Sequence, residues 1–244
     1  MTLKPVQDLD GFVFIITRPK DKSHGIVRKI RARGGKVLLR PCIEIVYTKP
    51  PGEEAAMLAR MDDFDWLVFL SVNAVNGLNK VIKGKWPKHL PKVAAIGPAT
   101  AAGLEAMHIE PDFLPSRATG KALAQELSAT MREKPAKILM ACGNLVSPET
   151  VSVIRGYGHE VQLVHVYENI KPKQVRPIED IEKPYILFFS PSAFKNFLDL
   201  YEIPGQARLI SIGPATTSAI VSCGYKVYKE ADVHTAKGIL EVLP

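Results

Sequence analysis

AIGPATAAGL, residues 95–104, returns farther along the chain as SIGPATTSAI, residues 211–220. Each copy continues a short apolar run, KVAAI or RLISI. Gly-Pro-Ala-Thr there reads as a strand giving way to a helix, because proline presets the first helical turn and glycine lets the backbone approach a ligand. The same grammar recurs on either side. FVFII, WLVFL, KILM, YILFF and YKVY are apolar runs separated by segments of 3.6-residue periodicity. Near-continuous apolar strands alternating with helices are the pattern of parallel sheets covered on both faces, so the expected class is α/β.

The duplication extends beyond the opening turns. LVFLSVNAVNGLNKVI, residues 67–82, resembles ILFFSPSAFKNFLDLY, residues 186–201, and SRATGKALAQEL corresponds to VHTAKGILEVL. A looser pair is FIITRPKDKSHGIVRKIRARGGKV and ILMACGNLVSPETVSVIRGYGHEV. The copies lie about half a chain apart, much farther than the roughly 20–50 residues of solenoid repeats, which indicates two similar lobes. VLLRPCIEIVY (37–47) and VQLVHVYENI (161–170) are longer and more polar, and read as extended connectors. The first strand and helix precede one connector, and the rest of their lobe follows the other. One lobe is therefore expected from residues 1–38 with 171–244 and the other from 46–161, with linker strands at 39–45 and 162–170 and a cleft between the lobes.

With 244 residues and 46% hydrophobic content, the chain can bury one large core or two modest ones. No apolar run approaches the roughly 18–20 residues of a membrane span, and MTLKPVQDLDG lacks the apolar centre of a signal peptide. A soluble, cytoplasmic protein with no membrane partner is expected. Cys42, Cys142 and Cys223 are odd in number and outside any Cys-x-x-Cys spacing, which suggests neither disulfides nor zinc. Net charge is +7, and the basic residues from Arg18 to Arg40 have Asp21 as the single acid among them. That imbalance favours a polycarboxylate or phosphate ligand, with a solvated helix face as the alternative for most of these residues. Nucleic acid is disfavoured, because no aromatics interleave the cations and no binding module is recognisable.

In a parallel sheet, ligands bind beyond the carboxyl ends of the strands. Gly97, Pro98 and Thr100, and Gly213, Pro214 and Thr216, lie at such ends, where free amides and hydroxyls can donate to an anion; a well-made helix start is the alternative. Ser71, Asn73 and Ala74, and Ser190, Ser192 and Ala193, follow strands in the same way. Asn73 and Ser192 are expected as N-caps, leaving the Ser71 and Ser190 hydroxyls toward a ligand. Neither serine has the Gly-x-Ser-x-Gly setting or the neighbouring base of a nucleophile. Thr17, Arg18 and Pro19, with Cys142, Gly143 and Asn144, complete the set; Arg18 either pairs bidentately with a carboxylate or is a surface arginine. The histidines lack metal-ligand spacing, and His24, His89, His108, His159 and His234 read as surface or turn residues. His165 and Tyr167 are two apart on an extended segment and so share a side; Tyr167 is either a hydrogen-bond donor and weak general acid or a buried strand tyrosine. No Gly-x-Gly-x-x-G or Walker loop is present, so no nucleotide cofactor is indicated.

Thr17-Arg18-Pro19, LVFLSVNAV, AIGPATAAGLEA, VHVYEN, ILFFSPSAF and SIGPATTSAIVSCGY, in this order and across almost the whole chain, resemble the uroporphyrinogen-III synthase family. The resemblance implies a monomeric enzyme of tetrapyrrole biosynthesis, with two flavodoxin-like lobes joined by a two-stranded antiparallel linker and the active site in the interdomain cleft. It implies no metal and no organic cofactor. The implied substrate is hydroxymethylbilane, a linear tetrapyrrole polycarboxylate. Ring closure with loss of water and inversion of ring D, through azafulvene and spiro intermediates, gives uroporphyrinogen III. Tyr167 of VHVYEN matches the family's donor to the departing hydroxyl, and a transient contact with the upstream bilane-forming enzyme is a further implied partner. One departure stands out: Cys142-Gly143-Asn144 replaces the Arg-Gly turn of many bacterial members, so no arginine contact is expected there. The competing class is a two-lobed binding module without turnover; the intact Tyr167 and the paired junctions argue against it.

Overall fold

The computed structural model describes residues 8–131, 134–173, 175–178 and 181–244. Residues 1–7, which open both the stretch read for a signal peptide and the expected first lobe, lie outside the described residues. In chain order the strands are β1 (Val13–Ile16), β2 (Lys36–Leu39), β3 (Glu44–Tyr47), β4 (Trp66–Phe69), β5 (Lys92–Ala95), β6 (Lys137–Gly143), β7 (Glu160–Ile170), β8 (Tyr185–Phe188), β9 (Arg208–Ser211) and β10 (Val227–Glu230). The helices are α1 (His24–Arg31), α2 (Gly52–Ala59), α3 (Val72–Val81), α4 (Pro98–Glu105), α5 (Gly120–Thr130), α6 (Pro148–Gly156), α7 (Pro191–Leu200), α8 (Pro214–Ser222) and α9 (Ala236–Glu241).

The chain divides into unit 1, Met1–Glu44 with Ile170–Pro244, and unit 2, Ile45–Asn169. Unit 1 holds a five-stranded sheet ordered β10-β9-β8-β1-β2, every neighbouring pair parallel. Counted along unit 1 alone, that order is 2-1-3-4-5, as in flavodoxin-like sheets. The sheet of unit 2 is ordered β3-β7-β6-β4-β5, with β7, β6, β4 and β5 parallel. Duplicated segments take equivalent places: β8 and β9 correspond to β4 and β5, and β1 and β2 to β6 and β7. Even the edge agrees, since Phe113 bridges Ala94 in parallel where β10 pairs β9.

Both faces of each sheet are covered. In unit 1, Phe14, Ile16, Tyr185 and Leu187 join one core cluster, and Ile15, Ile186 and Phe188 join another. In unit 2, Leu67 and Phe69 separate in the same way from Trp66 and Val68. The period-2 alternation of a strand survives, although every residue of β4 and β8 is buried.

The two stretches expected as connectors are drawn into the sheets, because an extended backbone must pair its polar groups. VLLRPCIEIVY contributes to β2 and β3, which fall in different sheets. Between them Arg40, 8% exposed, donates from Nε and Nη2 to the Pro177 carbonyl at 3.1 and 2.6 Å. VQLVHVYENI lies within a single strand, β7, which pairs β6 from Lys137↔Glu160 to Gly143↔Tyr167.

Candidate active site

Strand order reverses between β4 and β6 in unit 2 and between β8 and β1 in unit 1. Such a switch point opens a crevice at the carboxyl ends, where α/β sheets bind ligands. In unit 2 the β4 end carries Ser71 and the β6 end carries Gly143. Tyr167 on β7 brings its hydroxyl to 3.1 Å from Ser71 Oγ. A Cβ at residue 143 would sit 2.5 Å from Tyr167 Cζ, so the phenol ring lies across the Gly143 backbone. The tyrosine is 9% exposed.

Strict alternation puts His165 and Tyr167 on one side of β7, and the structure corrects this. The β6–β7 register shifts between Cys142 and Gly143, a bulge that breaks the period of two. Tyr167 therefore joins Val164 and Val166 in the same core cluster. His165 is tied instead to α2, its Nδ1 2.9 Å from Glu54 Oε1 and its backbone N–H donating to Oε2 at 2.7 Å.

The caps also differ from expectation. Ser71 and Ser190, both extended with φ −167°, accept from the Ala74 and Ala193 amides at 3.1 Å. The caps are thus these serines rather than Asn73 and Ser192, because an extended residue just before the first helical turn aims its hydroxyl at the third amide. Asn73, Ala74 and Ala193 are buried, and Ser192 Oγ lies 3.1 Å from Ser190 Oγ.

The two Gly-Pro-Ala-Thr turns start α4 and α8, with Pro98 and Pro214 exposed. Their glycines make room for protein: a Cβ would meet Ala118 Cβ at Gly97 and the His234 ring at Gly213, each at 2.6 Å. Thr100 and Thr216, expected to present their hydroxyls, are only 3% and 2% exposed. What the turns do offer is the amide-rich start of a helix, with Ala99 and Ala215 exposed. Thr17 is wholly buried and its hydroxyl donates to the Leu187 carbonyl at 2.8 Å, clasping β1 to β8. Pro19 lends its carbonyl to Ser23 Oγ at 2.8 Å. Arg18 is half-buried, with its guanidinium 4.8 Å from the Phe189 ring centroid. Burial lowers its pKa from the ordinary value, and Asp21 partly offsets that.

A cavity of about 370 Å³ opens beside Tyr167 at the carboxyl edge of the unit 2 sheet. Cys142, Gly143 and Tyr167 line it. Burial pushes the Cys142 thiol up to about 12, reinforced by the charge of Glu54, so it stays protonated at neutral pH. Asn144 is exposed and exchanges bonds with Asn169, its Nδ2 donating to the carbonyl at 3.3 Å and its Oδ1 accepting from the amide at 2.9 Å. Lys121, Ser147 and Thr150 also line the cavity, and sequence reading did not select them. TGK and SPET, each a helix start, were their visible signals. Among the described residues no group of three or more His, Cys, Asp or Glu is placed to hold a metal ion. No described helix is long and apolar enough to cross a membrane.

A parallel α/β chain with internally matched halves and polar strand ends defines a class of ligand-holding folds. Residues 25–241 match the family described as Uroporphyrinogen-III synthase HemD. The uroporphyrinogen-III synthase of Synechococcus elongatus is 25% identical over 254 residues, covering 96% of this chain and 95% of that protein. A Methanocaldococcus jannaschii protein, provisionally named for the same activity, is 27% identical over 246 residues, or 94% and 96% of the two chains. Among solved structures, the Helicobacter pylori uroporphyrinogen-III synthetase superposes with a TM-score of 0.65 at 19% identity, over 95% of this chain and 97% of its own. The chain belongs to the uroporphyrinogen-III synthase family.

Proposed function

We propose that this protein is a uroporphyrinogen-III synthase acting in tetrapyrrole biosynthesis, cyclising hydroxymethylbilane with loss of water and inversion of ring D. The observation that carries the reading is the Tyr167–Ser71 hydroxyl pair at the switch point of a chain that matches the family over residues 25–241. Loss of the terminal hydroxyl needs a proton donor, and a phenol held against a second hydroxyl is a weak acid already oriented for that step. The azafulvene then closes at the substituted carbon, and the spiro intermediate fragments and recombines to invert the ring. Because the substrate cyclises without help to the uninverted isomer, the protein's task is chiefly to fold the chain of pyrroles, and positioning dominates. Helix starts at Ala99 and Ala215, with Arg18, supply neutral and cationic donors for the acid arms. The matched carboxyl edges support a reading in which one substrate engages both units of a monomer, the two chain crossings forming a two-stranded antiparallel linker. Freshly generated hydroxymethylbilane incubated with the protein should give uroporphyrinogen III; isomer I alone, at the spontaneous rate, refutes the proposal.

A further inference from the structure

The bulge that turns Tyr167 toward Ser71 is held from outside the sheet. The Glu160 amide donates to the Ala136 carbonyl, just ahead of β6, at 2.9 Å. Even-numbered amides of β7 therefore face β6, and odd-numbered ones face the opposite edge. His165 N–H accordingly points away from β6, to Glu54 Oε2 at 2.7 Å. In an unbroken strand the Val166 carbonyl would face β6. It instead accepts from the Thr48 amide, just past β3 on the other edge, at 3.2 Å. Val166 is the residue skipped between Cys142↔His165 and Gly143↔Tyr167, so the strand turns over there. Gly77 of α3 makes room for the turn, since a Cβ at that position would lie 2.7 Å from the Val166 oxygen.

Two outward polar groups in succession, the His165 amide and the Val166 carbonyl, then need partners. Thr48 serves the carbonyl. Past it Lys49-Pro50-Pro51 leads the chain off the edge into α2, and proline has no N–H with which to continue a ladder. Glu54, in the first turn of α2, supplies the missing acceptor, and its second oxygen lies 2.9 Å from His165 Nδ1. The Glu54 side chain is only 18% exposed, and its charge reaches the thiol of Cys142, the β6 residue opposite His165. A sheltered carboxylate bound twice to one residue holds that residue's backbone more firmly than an exposed ion pair does. The other half of the duplication has no such need. Continuing the gap-free alignment of the two copies sets Pro41 against His165 and Ile43 against Tyr167. Proline offers no N–H to satisfy, and isoleucine has no hydroxyl to aim.

We propose that Glu54 is a positioning residue, holding the β7 bulge through His165 so that the Tyr167 hydroxyl meets Ser71. Without it no side chain ties the His165 peptide to α2, and the ring two residues later is free to leave Ser71. That the tyrosine serves as proton donor rests on the functional reading above; its placement by Glu54 does not.

The test separates the two. Tyrosine labelled with ¹³C at Cζ gives seven signals in the wild type, and the one absent from Tyr167→Phe belongs to Tyr167. Glu54→Ala should shift and broaden that signal. Glu54→Gln should leave it in place, because the amide oxygen still accepts the His165 N–H and the amide nitrogen can donate to the ring. Alanine is the best helix former, and unmoved indole N–H signals from Trp66 and Trp86 verify that unit 2 stays folded. With hydroxymethylbilane, Glu54→Ala should lower kcat for uroporphyrinogen III about tenfold, part of the roughly hundredfold a general acid contributes, with KM within about twofold of wild type. Glu54→Gln should bring kcat back to within about threefold. In a Tyr167→Phe background Glu54→Ala should change kcat by less than about twofold, because the group being placed is gone. An equal loss of rate in both backgrounds, as a merely structural role for Glu54 requires, overturns the proposal, and so does an unmoved Tyr167 signal in Glu54→Ala. If the signal moves as expected and the wild type yields isomer I alone, the placement stands and the enzyme reading falls.

Discussion

Replacing Gly143 by alanine tests the placement of Tyr167 without reference to catalysis. The added Cβ would lie 2.5 Å from Cζ, 2.6 Å from Cε2 and 3.0 Å from Cδ2 of the tyrosine ring, where ordinary contact begins at 3.4 Å. Ring and strand must therefore part by almost 1 Å. Neither yields easily, since Gly143 is buried in β6 between β7 and β4, and Tyr167 is 9% exposed with its hydroxyl on Ser71. Overpacking of this kind costs about 1–3 kcal/mol, and loss of the Ser71 bond adds about 1 kcal/mol. In a Tyr167→Ala background the obstacle is gone, and Gly143→Ala should cost no more than about 0.5 kcal/mol, giving a coupling energy near 2 kcal/mol. Urea unfolding of the four proteins measures this. Both tryptophans, Trp66 and Trp86, lie in unit 2, so their fluorescence follows the affected unit alone. Equal costs in the two backgrounds would show that the ring does not lie across Gly143.

Tyr167→Phe keeps the ring and its packing but removes the donor; the rate of uroporphyrinogen III formation should fall about a hundredfold, the lower end for general acid catalysis, and unchanged turnover removes Tyr167 from the mechanism. Ser190→Ala should cost about 1 kcal/mol by far-UV circular dichroism on urea titration and Ser192→Ala less, since Ser190 holds the cap; the reverse order contradicts that assignment. Cys42 and Cys142, both pushed up to about 12 by burial, should resist a thiol reagent at pH 8 while exposed Cys223 reacts, so one fast equivalent is expected in place of three. The same two thiols make stability fall with alkaline pH. The unfolded chain loses those protons first, near pH 8.5–9, so their contribution is full below that and declines as pH rises toward 12, by up to about 1.4 kcal/mol per pH unit for each thiol. A flat stability profile from pH 9 to 10.5 would contradict their burial.

Sequence order made the strand ends legible because the signals there are local: an apolar run, then glycine, proline or serine. Ser190 could have been read as the cap, since Pro191 occupies the favoured first helical position, and Ser71 follows by the repeat. What stayed hidden depends on contacts distant in sequence. The side on which Tyr167 emerges is set by a bulge opposite β6, which no period in VHVYEN announces. The role of Gly97 and Gly213 is set by Ala118 and His234, residues well outside each turn. Thr100 and Thr216 show the limit of reading a helix start as a site: the third helical residue is close to a ligand in sequence terms, yet here it turns inward.

The distribution of positive charge separates attraction from grip. Of the basic run from Arg18 to Arg40, Arg28, Lys29, Arg31 and Lys36 are exposed and have no ion pair among the described residues. Arg40 is spent on the Pro177 carbonyl, and only Arg18 follows directly on a strand end at the unit 1 switch point. The donors at the strand ends are otherwise mostly backbone amides and hydroxyls. A net charge of +7 raises the encounter rate with a polyanion from a distance and is screened by salt, whereas hydrogen bonds at contact fix orientation. For a reaction in which one ring must turn over while its neighbours are held, that division has a physical advantage. Neutral donors release and re-form with the moving arm at modest cost, while a buried ion pair resists being broken. The duplicated fold supplies such donors at equivalent places in each sheet.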